Sequence, residues 1–383
     1  MPLARAVRHL RDYVAIPSVN PMLRSDVPPE VAGERRYAEH LREQLRALGL
    51  DVGLVGSEAR PSVVAEARAP GARETVLVAS HLDTVPVDGM EIDPFDPRIE
   101  DDRLFGRGAC DTKGGMAALV DALERVLARG TLRRNLIVVG EADEELASVG
   151  ARDVLAHLGT RRPDWALVTE PTGLRLVTAH KGIALARLAA RGRAGHSSNP
   201  SAGRNAIVAL ARATLALEEL AAELAGRKHA RLGPPTLSVG VVAGGVAPNV
   251  VPAEAWLVMD RRVLPGETAA QLRAELEGAL SEHGVEHVSV ESCTLEKGPL
   301  ATPDDHPAVR ACAAALGAAG FPAEPAAVAF ATDAGIFAER GIPCVVVGPG
   351  SVEQAHTARE FVEVRQVEAM ADFFVRLLES DAR

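Results

Sequence analysis

Two histidines and a set of acids follow apolar runs along this 383-residue chain, and their types suit metal chemistry. TVLVAS leads into His81, Leu82 and Asp83, and LIVVG into Glu141, Ala142, Asp143, Glu144 and Glu145. WALVT leads into Glu170 and Pro171, and PCVVVGPGSVEQA into His356. A further acid, Asp111, stands in GRGACDTKGG just ahead of the glycines that open a helix. Singly each piece is ordinary, because HxD triplets are common and DEE reads equally as a solvated loop. Together they occupy strand ends, where open α/β sheets place their ligands. Two imidazoles and several carboxylates without thiolates form a nitrogen and oxygen donor set suited to Zn²⁺, or to Co²⁺ and Mn²⁺.

The elements that must position these groups are legible as apolar, β-branched runs. Thr75 to Ser80, Leu136 to Gly140, Trp165 to Thr169 and Pro343 to Gly348 read as buried strands, alternating with helices such as Gly115 to Ala128. That alternation predicts an α/β sheet with helices on both faces. Tyr37, Leu41, Leu45 and Leu48, followed by Gly49, predict an amphipathic helix over 34–48. Between the runs the order changes. Residues 183–191 read as a strand, 205–225 as a helix, 236–243 and 254–263 as strands, 269–283 as a helix and 285–291 as a strand. This βαββαβ order is the ferredoxin-like plan. A chain of this length suggests two domains, so residues 180–292 are expected to be a domain inserted into one formed by 1–179 and 293–383.

Composition narrows the partners. Basic side chains number 42 against 52 acidic ones, for a net charge of −10, which argues against nucleic acid or an anionic membrane and for a small ligand. The cysteines, Cys110, Cys293, Cys312 and Cys344, are far apart with no CxxC spacing, so neither a disulfide framework nor a thiolate zinc site is expected. Interspersed arginines and Asp12 break the apolar stretch a signal peptide needs, and no run approaches the roughly 18 apolar residues of a membrane span. A cytoplasmic location is the expectation. Gly108, Gly114 and Gly115 fit neither a dinucleotide nor a P-loop spacing.

ASHLDTVP, GRGACDTKGGMAA, EADEE, TEPT and AHTARE resemble, in order and spacing, the motifs of the co-catalytic zinc amidohydrolases that include acetylornithine deacetylase, succinyl-diaminopimelate desuccinylase and glutamate carboxypeptidase. The resemblance spans nearly the whole chain. It implies a catalytic domain with a central mixed sheet, an inserted lid and dimerisation domain, and a homodimer formed through the insert. By that resemblance His81, Asp111 and Glu170 hold one Zn²⁺, and Asp111, Glu145 and His356 hold a second, with Asp111 bridging. Asp83 would accept the second N–H of the His81 imidazole, or else is a turn aspartate. Glu144, not a ligand, is the implied general base, and Asp143 is expected to support the site.

Within the insert, GRAGHSSNPSAGRNAI resembles the family's lid motif, in which a histidine helps stabilise the oxyanion. His196 is that residue, and the resemblance has it reach the partner subunit's site; a surface histidine in a Ser-rich loop is its other reading. Asn249 and Arg262 are candidate holders of a substrate carboxylate, although Arg262 reads equally as a strand surface charge and Asn249 as a turn residue. Gly348 and Gly350 of GPGS are expected to offer flexible backbone donors near the metals. The implied reaction is hydrolysis of an N-acyl amino acid or a dipeptide. Glu170 before Pro171 favours a deacylase or carboxypeptidase, with acetylornithine deacetylase first. A desuccinylase would need a further cation, for which Arg175, Lys181 and Arg204 are available. A metal-binding dimer without catalysis would be expected to lose the base or a ligand, and all are present.

Overall fold

The computed structural model describes residues 3–381. Packing divides the chain into two units: one runs to Thr178 and resumes over Thr302–Ala326 and from Thr332 onward, and the other comprises Ala179–Ala301 with Ala327–Ala331.

The first unit is built on a mixed sheet. Its centre is the strand Thr75–His81, parallel to Asn135–Glu141 on one side and to Trp165–Val168 on the other. Cys344–Val346 continues the parallel set beside Trp165–Val168. Pro61–Ala67 and then Asp51–Gly56 extend the other edge in antiparallel sense. Every residue of Thr75–His81 after the first is buried, as expected of a strand with helices on both faces. Arg5–Val14, Gly114–Arg129 and Val364–Glu379 pack on one another, burying Leu10, Tyr13, Leu119, Leu123, Phe373 and Phe374 in one core. Val149–Leu158 packs on Ala334–Glu339 and on the outer strands. Gly115, in the first turn of the helix Gly114–Arg129, leaves room that a side chain would take, since a Cβ there would sit 2.4 Å from Thr169 Oγ1. The helix N-terminus therefore approaches the end of the adjoining strand.

The second unit is an antiparallel sheet in the order Thr236–Gly244, Glu254–Val263, Gly182–Arg191, Val288–Lys297, the ferredoxin-like arrangement of a βαββαβ chain. The helices Ala206–Leu224 and Ala269–Glu282 lay Leu210, Leu217, Leu224, Leu276 and Leu280 against Leu188, Leu257 and Met259. Their starts are capped by Asn205, which accepts from the Val208 N–H, and by the Thr268–Gln271 capping box. The last strand begins after the left-handed turn at Gly284 and His287 and runs to Lys297, not 285–291 as expected. Two register shifts, at Val290/Ser292 and Leu295/Lys297, break the period-2 pattern that would have revealed its length. The unit accordingly extends past residue 292 to Ala301.

Candidate metal centre

The metal-ligand candidates all belong to the first unit. His81 is the last residue of its strand, Glu145 lies four residues past Asn135–Glu141, and Glu170 two past Trp165–Val168. Asp111 sits in the irregular segment Ala109–Lys113, ahead of Gly114–Arg129. His356 follows Cys344–Val346 by a longer loop and adopts a left-handed φ of 60°.

Asp111 turns one carboxylate oxygen to each histidine. Oδ1 lies 2.9 Å from His81 Nε2 and Oδ2 lies 3.1 Å from His356 Nε2. Glu145 Oε1 is 3.2 Å from the same His356 nitrogen. Ligand atoms of His81, Asp111 and Glu145 all fall within 4.8 Å of one another. Donors about 2.0–2.1 Å from a tetrahedral ion stand about 3.3 Å apart, so these separations match groups that share an ion. Electrostatics agree. Burial lowers the affinity of His81 for a proton, but Asp111, with Glu170 and Glu144, more than reverses this and holds its pKa well above the usual value. Hydrogen bonds to Asp111 and Glu145 push His356 up to about 10. Burial acts to raise the pKa of Asp111, but the two histidines outweigh it and hold it below the usual carboxylate range. A cluster that draws protons onto its imidazoles is short of positive charge, and divalent cations would supply it. The residues therefore fit metal ions.

Asp83 departs from its expected part. His81 Nδ1 lies 2.8 Å from the Asp83 main-chain oxygen and 3.7 Å from its carboxylate. The backbone carbonyl, not the carboxylate, fixes the His81 tautomer here. The Asp83 carboxylate instead accepts the backbone N–H of Glu144 at 3.0 Å and of Glu145 at 3.1 Å. Burial pushes it up to about 7; His81 pulls the other way, while Glu34 and Glu145 reinforce the rise. Glu144 is buried, next in sequence to a ligand candidate.

Gly348 and Gly350 also need correction. The Gly348 N–H donates to Thr172 Oγ1 and the Gly350 N–H to Gln366 Oε1, so neither is left to bind substrate. Their value is close approach. A Cβ on Gly348 would lie 2.4 Å from the Glu170 carbonyl oxygen, and one on Gly350, at φ 87°, would lie 2.4 Å from Cys110 Sγ.

Sequence reasoning passed over Glu360, although it lies in the AHTARE motif. Fully buried, it accepts the N–H groups of Cys110 at 2.9 Å and Asp111 at 3.1 Å, and pairs with Arg107 at 2.6 Å. Burial raises its pKa, with Arg107 opposing. Also missed were Asn20, Glu34 and Arg60, which stand around Asp83 and Asp143.

Arg175 lies in the first unit, and the remaining candidates lie in the second. His196 is exposed, and its Nδ1 lies 3.2 Å from the Ser198 N–H and 2.7 Å from Ser198 Oγ. A ring nitrogen that accepts a backbone N–H leaves the neutral imidazole's proton on Nε2, available as a donor. Asn249 is exposed, and its carbonyl accepts from the Ser197 N–H. Arg262 pairs with Asp260 at 2.9 Å. Lys181 spends its ammonium on the Pro234 carbonyl at 2.6 Å.

The model of peptidase family M20/M25/M40 matches residues 77–380. The chain is 36% identical over 298 residues to an acetylornithine deacetylase of Klebsiella pneumoniae, covering 76% of each. Among solved structures it resembles the M20 metallo-carboxypeptidase Sso-CP2 of Sulfolobus solfataricus (TM-score 0.80, 22% identity, 98% of this chain and 99% of that one). It also resembles the Bacillus subtilis YXEP protein, a dinuclear metal-binding peptidase (TM-score 0.69, 17% identity, 98% and 97% covered). The chain therefore belongs to the M20/M25/M40 peptidase family, and is a metal-dependent amidohydrolase.

Proposed function

We propose that the protein hydrolyses the amide bond of an N-acyl amino acid, with an acetylornithine deacetylase-like specificity, using two Zn²⁺ ions for which Co²⁺ or Mn²⁺ can substitute. The observation that carries this reading is Asp111, whose two oxygens face His81 and His356 separately. One carboxylate set between two imidazoles, with Glu145 beside the second, suits a pair of ions better than one. His81 and Glu170 would complete one ion's set, and Glu145 and His356 the other's. When bound, the ions supply Lewis-acid polarisation of the carbonyl and lower the pKa of water. Glu144 takes the proton of the attacking water and returns it to the departing nitrogen, so that the C–N bond breaks to a carboxylate and a free amine. His196, with its proton on Nε2, would donate to the oxyanion. Asn249 and Arg262 are the proposed contacts for the substrate carboxylate. Acetylornithine cleavage would place the chain in arginine biosynthesis, and its four free cysteines support a cytoplasmic setting.

A homodimer through the second unit is part of the proposal. The strand Thr236–Gly244 is one of the sheet's two outer strands, and Val241 and Val242 on it are exposed. Ile207, Val208 and Leu215 on the helix Ala206–Leu224 are exposed as well. A long apolar edge left open invites a second strand, and an identical copy would present the same edge.

A panel of N-acetyl, N-succinyl and N-formyl amino acids with dipeptides, assayed for free amine with Zn²⁺ or Co²⁺, tests the reaction. Release from N-acetylornithine above all others is the expected result. Preference for N-succinyl substrates would point to a desuccinylase, and preference for dipeptides to a peptidase. Chelation should abolish turnover, and about two equivalents of metal should restore it; activity that survives exhaustive chelation would overturn the metal assignment.

A further inference from the structure

Three successive backbone N–H groups, those of Asp143, Glu144 and Glu145, each donate to a buried carboxylate from elsewhere in the chain. Asp143 N–H donates to Glu34 Oε1 at 3.0 Å, and the next two to Asp83 at 3.0 and 3.1 Å. The turn needs such anchoring, because Asp143 is a non-glycine residue at φ 65°, a left-handed conformation that persists only where the surroundings enforce it. The anchors are tied to each other as well. The Arg60 guanidinium grips both Glu34 oxygens, through Nε to Oε2 at 2.8 Å and Nη2 to Oε1 at 2.5 Å, and reaches Asp143 Oδ1 through Nη1 at 2.8 Å. Asn20 Nδ2 joins Asp83 Oδ2 at 2.8 Å to Asp143 Oδ1 at 3.0 Å. Asn20, Glu34 and Asp83 are fully buried and Asp143 nearly so.

We infer that Arg60 is a positioning residue for the reaction: by clamping Glu34 to Asp143 it sets the turn that presents Glu145 to metal and holds Glu144 off it as base. This inference rests on the proposed roles of Glu144 and Glu145. The clamp requires a fork. A lysine ammonium in place of the guanidinium is a point charge that cannot satisfy Glu34 and Asp143 in their present geometry. It acts through the backbone of the two glutamates, so its loss should appear in kcat and in metal affinity, not in KM.

The test compares R60M and R60K with wild type. Dissociation constants for Zn²⁺ are measured by chelator competition, with kcat, KM and thermal melting alongside. Groups that orient a ligand typically carry 10–100-fold in metal affinity or activity. R60K is expected to weaken binding of one ion and lower kcat by about that range with KM unchanged, and R60M by more. R60M leaves buried carboxylates without their cation, so R60K decides the matter should R60M not fold. R60K with wild-type kcat and wild-type Zn²⁺ affinity, whatever its melting temperature, overturns the inference, since a purely structural arginine moves only the melt. Wild-type protein that binds no metal would instead overturn the parent reading, and is told apart by that alone.

Discussion

Glu144 and Glu145 are neighbours, and the Glu145 carboxylate lies 3.2 Å from His356 Nε2. The duties proposed for the two differ, and so do the losses expected on removing them. Glu144→Ala should keep both metals and lose about 10²–10⁴-fold in kcat, the usual contribution of a general base. Glu145→Ala should lose an ion. Metal content and turnover on both variants check this, and metal loss in Glu144→Ala with retention in Glu145→Ala would reverse the assignment. The histidines carry a second consequence. With its pKa raised to about 10, His356 of metal-free protein holds its proton at neutral pH, and Asp111 holds the His81 pKa above its usual value as well. The sign is that of a raised pKa: the ion pairs of metal-free protein hold fully below the ordinary value near 6.5 and are lost as pH climbs through about 10. Metal binds only neutral imidazole, so loading at neutral pH should release at least the His356 proton and affinity should rise with pH. Calorimetry in buffers of differing ionisation enthalpy measures the release, and zero protons would contradict it.

Among the elements, the segment Ala109–Lys113 has non-helical backbone at Asp111 and Thr112 and so cannot hold Asp111 in place by regular hydrogen bonding. Glu360, just ahead of the strand Phe361–Glu363, does that by accepting two of its N–H groups while pairing with the nearly buried Arg107. Glu360→Ala strands a buried guanidinium and two donors, and should cost about 3–5 kcal/mol. Glu360→Gln keeps an acceptor and should cost less; urea unfolding of metal-free protein compares them, and equal stability to wild type would refute the brace. The limits of sequence reading are of the same kind. Strands such as Thr75–His81 were legible because runs of buried apolar residues end at the acids they carry. The alternation in Glu254–Val263, buried at every second residue, made the βαββαβ order legible too. Spacing alone misassigned Asp83, because two residues apart implies one face only while the chain stays extended. The strand stops at His81, and the turn beyond it aims the Asp83 carbonyl back at the ring. The tie from Arg60 to Glu34 and Asp143 crosses 26 residues in one of its arms and much more in the other, a separation that leaves no local pattern.

For the whole molecule, every ligand candidate lies in one unit and His196 in the other. If two copies pair through the edge strand Thr236–Gly244, His196 of each is proposed to serve the partner's metals. Mix inactive His196→Ala with inactive Glu144→Ala under conditions that exchange subunits. A mixed dimer then has one site with its own Glu144 and an intact His196 from its partner, while its other site lacks both. Random exchange makes about half the dimers mixed, each with one complete site of two, so about a quarter of wild-type activity should return. Were His196 to serve its own subunit, every site in the mixture would lack one group, and no activity would return even with exchange independently confirmed. That result would leave the dimer standing and remove the trans role, whereas a monomer by sedimentation would remove both.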